Sequence, residues 1–209
     1  MSQALLIFKP DASHRLACRA GCWRWLSDNP KVEVKSLQWF QASPELIKQH
    51  YGFLAGRPFY PWLIDFMTAL PLLVGRLEAE SGDLNGLRDA LGETMVQLAR
   101  PASLRQRFGI FGGINCLHVS DSVESGEHEV DLWSQHLDMS VGIKDSPGLT
   151  VQDPDHTFQL RCLAYQVSSS IHAETAGAEM RRLLRQETDL DDAGFESLWR
   201  VVHTAIAPQ

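Results

Sequence analysis

The chain has 209 residues, 44% hydrophobic and 22% charged, a balance that excludes disordered, collagenous and low-complexity architectures and suits one large domain or a domain with an appendage. A formal net charge of −7 argues against general binding to nucleic acid or anionic membranes, which recruit an excess of Lys and Arg. The charge is uneven: residues 1–133 carry 13 basic and 15 acidic side chains, and residues 134–209 carry 6 and 11, so a near-neutral body precedes an acidic C-terminal part.

In chain order, Ala4–Phe8 reads as a short buried strand ending at Lys9-Pro10-Asp11, too short for a secretory core segment. Residues 13–27 have helical spacing, with Leu16, Ala17, Ala20 and Trp23 near one face, and Asp28-Asn29-Pro30 stops them. Lys31–Phe40 alternates Val32, Val34 and Leu37 with polar residues and predicts a second strand. Ser43 as N-cap and Pro44 at the first helical position start a helix running to about Tyr51. A further helix is expected over about Tyr60–Ala69, and a third strand over Leu70–Leu77. The longest apolar run, Trp62–Gly75, is broken by Asp65 and Pro71 and falls short of the ~20 residues of a membrane span. A short helix follows at Leu84–Leu91. Residues 92–114 show no clear period but hold Gly, Pro and three Arg, as a long functional loop does. Asn115–Val119 is a short apolar strand. Asp121 caps a helix to Trp133, with Glu124 three residues on in capping-box spacing. This order predicts an α+β fold, a ferredoxin-like βαββαβ antiparallel sheet covered by helices.

After Trp133 the pattern changes. Lys144-Asp145-Ser146-Pro147-Gly148 and Asp153-Pro154-Asp155 are loop signals, and Phe158–Val167 is expected to be a strand. Two amphipathic helices end the chain, over about 173–186 and 191–206. In the second, Phe195, Leu198, Trp199, Val202 and Ile206 recur at helical spacing. Residues 134–209 are thus expected to be a mainly helical extension whose apolar stripes pack on the body or on a neighbouring subunit. They carry no motif, and His136, His156, His172 and His203 lack metal-ligand spacing. Cys18 and Cys22 lie one helical turn apart with no second pair to complete a metal site, which reads as structural. Four cysteines so used suit a reducing, cytoplasmic setting.

The most informative stretch is Asn115-Cys116-Leu117-His118-Val119-Ser120-Asp121-Ser122. It places a histidine at the end of a buried strand, just before a helix N-terminus, where a neutral imidazole can act as a nucleophile. The helical stripe Ser122, Gly126, Glu129 and Trp133 runs beneath that strand. Glu129 can then hold one ring nitrogen and leave the other free to attack, while Gly126 lets the backbones approach. Lys9, Arg88, Arg105, Thr94 and Tyr51 all stand at element ends or in the long loop. Gathered together, they form a cradle for a polyphosphate.

The pieces LIFKPD (residues 6–11), HYGFLAGRPFYPWL (50–63), LGET (91–94), SLRQRFG (103–109), NCLHVSDSVES (115–125) and EVDLW (129–133) resemble those of nucleoside diphosphate kinases, in the family's order and at near family spacing. The resemblance covers about residues 4–133. It implies a ping-pong phosphotransferase in which His118 takes the γ-phosphoryl of a nucleoside triphosphate and passes it to a nucleoside diphosphate. Lys9, Tyr51, Arg88, Thr94, Arg105 and Asn115 match the family's phosphate and sugar contacts. Phe59 and Leu63 match the positions that sandwich the base, and Ser120 and Glu129 those that support the histidine. It also implies Mg²⁺ held mainly by the substrate phosphates, with Asp121 the candidate carboxylate, and a homo-oligomer with neither nucleic acid nor membrane as partner. A base gripped by apolar stacking is expected to be accepted broadly.

The sequence also departs from the family. Val119 stands where the family has Gly, and a β-branched residue tolerates positive φ poorly, so an altered backbone is expected beside His118. Gly112 replaces a larger residue on the base side. Phe53 replaces an acidic one after the His-Tyr pair. The loop Met95–Ile114 keeps Pro101 and Arg105 but lacks the usual Asn-Pro after Thr94. Val119, Phe53 and the extension leave a second reading beside the kinase: a diverged kinase-like protein that acts on a non-nucleotide acceptor or serves as a nucleotide-binding regulatory module. The intact Lys9, Arg88, Thr94, Arg105, Asn115 and His118 favour the kinase.

Overall fold

The computed structural model of the chain describes residues 1–144 and 154–207. Its centre is β1 (Ser2–Phe8), which carries an unbroken apolar run because helices cover both faces of its sheet. Side chains alternate across a strand, so Leu5 and Ile7 enter one core and Ala4, Leu6 and Phe8 the other. Four strands pair antiparallel in the order β2-β3-β1-β4, where β2 is Val32–Phe40, β3 is Leu72–Ala79 and β4 is Leu117–Val119. That is the ferredoxin-like arrangement expected from the element order.

One face is covered by α2 (Leu16–Ser27), α5 (Ser81–Leu91) and α6 (Leu104–Phe108). The helix expected over 13–27 is two: α1 (Pro10–His14) and α2, separated by Arg15 in extended backbone (φ −87, ψ 107). On the other face lie α3 (Pro44–His50), α4 (Tyr60–Thr68) and α7 (Val123–Ser134). Ser43 accepts the Leu46 amide with Pro44 in the first turn, as expected. The third strand starts only at Leu72, after Pro71, which has no amide to give a ladder. The long loop contains a 3₁₀ turn (Val96–Leu98) and α6, so it is less irregular than its composition suggests. Ser122, not Asp121, caps α7, and its capping-box partner is Ser125, not Glu124. The reason is reach: Ser125 Oγ accepts the Ser122 amide while Ser122 Oγ accepts the Ser125 amide.

Beyond α7 the chain is helical: α8 (Thr157–Ser168), α9 (Ala173–Gln186) and α10 (Asp192–Ile206). The strand expected at Phe158–Val167 is therefore a helix. Its buried residues Thr157, Leu160, Ala164 and Val167 follow the helical period, while Phe158 and Tyr165 point outward. The turn signals at 145–148 and at Asp153 lie outside the described residues. The three helices share the core of α3, α4 and α7 through Leu160, Met180, Leu184, Leu198, Val202 and Ile206. Full burial of each such side chain stabilises by roughly 1.5–3 kcal/mol. Polar bonds fix the seam as well. Trp62 Nε1 on α4 donates to the Val201 carbonyl at 2.8 Å. Arg161 Nη2 donates to the Gly109 carbonyl at 2.7 Å. The Arg15 guanidinium meets the Glu187 carboxylate with both side chains at 0% exposure. Among the described residues, no helix is long and apolar enough to cross a membrane.

Candidate active site

His118 sits in the middle of β4, opposite Ile7 of β1. The next residue, Val119, pairs with Leu6 as an ordinary strand residue. Val119 is not among the residues with positive φ, and its side chain fills the core beside Leu6. The positive φ falls earlier, at Cys116 (φ 75). Helix α7 crosses β1 at Gly126, where an added Cβ would lie 2.2 Å from the Gln3 carbonyl oxygen. Only glycine permits that approach. One turn later the same face brings Glu129 under the strand end.

The result is a tight triad. Glu129 Oε2 lies 2.8 Å from His118 Nε2 and accepts the Ser120 hydroxyl at 2.7 Å. Ser120 Oγ in turn accepts the Leu5 amide at 2.9 Å, which ties the group to the central strand. Burial opposes ionisation of Glu129, but the hydrogen bond and charge of His118, with further help from His50 and Ser120, outweigh it and hold the carboxyl at about 2. An ionised carboxylate only accepts, so Nε2 carries the ring proton and the Nδ1 lone pair is free.

Against this ring stands His50, the last residue of α3, with its ring centroid 4.7 Å from that of His118. Trp133 Nε1 donates to His50 Nδ1 at 3.3 Å. Burial, and then the neighbouring His118, pull His50 down to about 3, so it stays neutral. Sequence reasoning did not single out His50. Its only signal is its place before Tyr51 in the His-Tyr pair. Tyr51 is buried, its ring 6.1 Å from that of His118, and its hydroxyl has no partner among the described residues.

Three cations stand on the same side. Lys9, buried at the end of β1, donates from Nζ to Asn115 Oδ1 at 2.7 Å, and Asn115 Nδ2 donates to the Thr94 carbonyl at 2.6 Å. Thr94 thus contributes its backbone to this chain, and its side chain is exposed. Arg105 of α6 donates to the Gly92 carbonyl at 2.8 Å and the Leu117 carbonyl at 3.1 Å, while its buried Nε lacks a partner among the described residues. Arg88 of α5 pairs with Asp121. The cations repel one another. Burial and then Arg105 pull Lys9 down to about 7, with Arg88 contributing. Burial and then Arg88 pull Arg105 down to about 10. A polyanion between them would relieve that repulsion and satisfy the unpaired Tyr51 hydroxyl and Arg105 Nε.

The two expected base contacts belong to α4. Phe59 is the N-cap of α4 and is 45% exposed, and Leu63, one turn on, is 6% exposed. Neither makes a ring contact or hydrogen bond with the His118 group among the described residues. Mg²⁺ takes hard oxygen ligands and keeps several waters. The cluster of His50, His118 and Glu129 donor atoms is mostly nitrogen and does not suit it. Asp121, whose side chain is 67% exposed beside Arg88, does suit a cation carried in on substrate phosphates.

The model of the family "Nucleoside diphosphate kinase" matches residues 2–139. A nucleoside diphosphate kinase of Chloroflexus aggregans is 33% identical over 135 residues, covering 65% of this chain and 88% of that protein. One from Staphylococcus aureus is 36% identical over 133 residues, covering 64% and 87%. The crystal structure of the Aquifex aeolicus nucleoside diphosphate kinase superposes with a TM-score of 0.56 at 32% identity, covering 63% of this chain and 93% of that one. The helices α8–α10 lie beyond the family match.

Proposed function

Since this chain belongs to the nucleoside diphosphate kinase family, we propose that it transfers the γ-phosphoryl group of a nucleoside triphosphate to a nucleoside diphosphate through a phosphorylated His118. The observation that carries this reading is the hydrogen bond from His118 Nε2 to Glu129. It orients the ring and leaves Nδ1 as the free nucleophile, beside Lys9, Arg88 and Arg105.

In the first half-reaction, the Nδ1 lone pair attacks the γ-phosphorus as the bond to the bridging β-oxygen breaks. The diphosphate leaves with that electron pair. As the ring gains positive character, Glu129 stabilises it through the Nε2 proton. Ser120 keeps the carboxylate in place. Lys9, Arg105 and the Tyr51 hydroxyl face the oxygens of the transferring group, whose charge spreads outward in a loose transition state. Mg²⁺, when bound, neutralises phosphate charge, and Asp121 is the side chain suited to its coordination or to its waters. The second half-reaction reverses the first with another diphosphate. Phe59, 45% exposed, offers the base an apolar ring rather than an edge-reading donor, which supports broad base tolerance.

The test is incubation with γ-labelled ATP and Mg²⁺, followed by a chase with several nucleoside diphosphates. The expected product is an acid-labile, base-stable phosphoenzyme that any of the diphosphates discharges and that His118→Ala fails to form. Absence of label in the wild type overturns the proposal and leaves a nucleotide-binding module. Label that forms but ignores nucleoside diphosphates points to a different acceptor.

A further inference from the structure

The fold brings a third cysteine to the pair on α2. Cys18 Sγ lies 3.9 Å from Cys22 Sγ and 3.8 Å from Cys116 Sγ, all three sulfurs lie within 4.8 Å of one another, and all three residues are fully buried. We propose that Cys18, Cys22 and Cys116 form a binding site for one thiophilic d¹⁰ cation of the zinc or monovalent copper class.

The spacing carries the argument. Three sulfurs bound at about 2.3 Å to one centre lie about 4.0 Å apart if planar and about 3.8 Å apart if tetrahedral. The two measured separations already match, and closing the third edge takes less than an ångström of side-chain rotation. Buried thiols also pack as small apolar groups at such distances; what favours a site is that three soft donors from two distant segments all lie within 4.8 Å of one another. The donor set excludes hard cations, since sulfur ligands select zinc and monovalent copper over magnesium and calcium.

Two further features single out this place. Cys116 holds its position at φ 75, in the left-handed region that favours glycine. Asp11 is fully buried beside the cluster: its Oδ2 accepts the Cys116 amide at 3.0 Å, while its Oδ1 has no hydrogen-bond partner among the described residues. On loading, each S–H proton passes to solvent as a sulfur–metal bond forms, with no change of oxidation state. The site lies behind the proposed active site: the Cys116 carbonyl accepts the Lys9 amide at 2.8 Å, and Asn115 is the preceding residue.

The experiment incubates the full-length Cys162→Ser protein with Cd²⁺ under a non-thiol reductant; this removes the exposed fourth cysteine. One Cd²⁺ per chain is expected, with a thiolate-to-metal charge-transfer band, a raised melting temperature, and X-ray absorption showing three sulfur neighbours. Adding Cys22→Ser is expected to weaken binding at least tenfold and remove the band. A first shell of nitrogen and oxygen, or no stoichiometric uptake by folded protein, overturns the assignment without recourse to that second variant. Because none of these readouts uses phosphotransfer, failure here is distinguishable from failure of the kinase reading.

Discussion

Glu187→Ala tests whether the C-terminal helices belong to the folded body. Arg15 stands at the break between α1 and α2, and Glu187 follows α9; both side chains are 0% exposed. The guanidinium bonds Glu187 through Nε, the Phe108 carbonyl through Nη1 at 2.9 Å and Thr157 Oγ1 through Nη2 at 2.6 Å. Removing the carboxylate leaves a buried positive charge facing two neutral acceptors. It also orphans the His156 amide, which donates to the other carboxylate oxygen. Breaking a buried pair in this way costs about 3–5 kcal/mol. At about 2–4 °C per kcal/mol for a chain of this size, the melting temperature should fall by about 6–20 °C. Urea unfolding followed by tryptophan fluorescence gives the free energy directly, through the shift of the midpoint at constant slope. The double variant Arg15→Met/Glu187→Leu removes both charges and should recover most of the loss, because the desolvation cost disappears with the pair. A loss below about 1 kcal/mol in the single variant would put the pair in the regime of exposed ion pairs and refute the docked position of the extension. Equal losses in the single and double variants would refute the argument from uncompensated charge.

Glu129→Gln should keep the fold but lose a charge-assisted hydrogen bond worth about 1.5–3 kcal/mol, which corresponds to phosphoenzyme formation slowed about 10–150-fold; rapid quench with labelled ATP measures it, and an unchanged rate would remove Glu129 from the proposed mechanism. Stability should decline as pH falls, because His50 (6.5 to about 3) and Glu129 (4.5 to about 2) are both depressed in the folded state. Asp11 opposes this, since burial raises it from 3.8 to about 6 and the folded chain takes up that proton first, so the unfolded chain binds the excess of protons from about pH 4 down to about 2; a urea midpoint that stays flat from pH 4 to 2.5 would contradict this. Lys9 stands at about 7 without ligand, so a triphosphate that recharges it should cause proton uptake at pH 8, seen by calorimetry as a heat that depends on the buffer; no dependence would sever Lys9 from the phosphates. Gly126→Ala forces a Cβ against the Gln3 backbone oxygen and should cost about 1–3 kcal/mol, together with His118 reactivity, because it displaces Glu129; full stability would refute the close crossing of α7 and β1.

Much of the site was legible along the chain because its geometry is periodic. Ser122, Gly126, Glu129 and Trp133 fall on one helical face whatever the rest of the molecule does, and His118 precedes that helix by only a few residues. Glu129 therefore reaches the imidazole by local geometry. Lys9 stands at the end of one expected strand and Asn115 at the start of another, but only the pairing of β1 with β4 brings them to 2.7 Å. His50 escaped notice because its role depends on α3 packing against α7, which no local pattern encodes. Phe158–Val167 was misread for a related reason. A short, dense apolar run is compatible with either period, and which of its residues are buried depends on the body it packs against.

The amino-acid sequence alone thus determined the family and brought His118 and Glu129 together, since these rest on short-range spacing and on specific side-chain chemistry. Tertiary structure decided three things that spacing cannot express. It joined Cys116 to Cys18 and Cys22, it set Arg15 against Glu187 across the chain, and it laid α8–α10 on the core shared with α3, α4 and α7. Each depends on contacts between segments far apart in sequence. Such contacts are selected by the shape and burial of the whole core rather than by the preferences of the residues that make them.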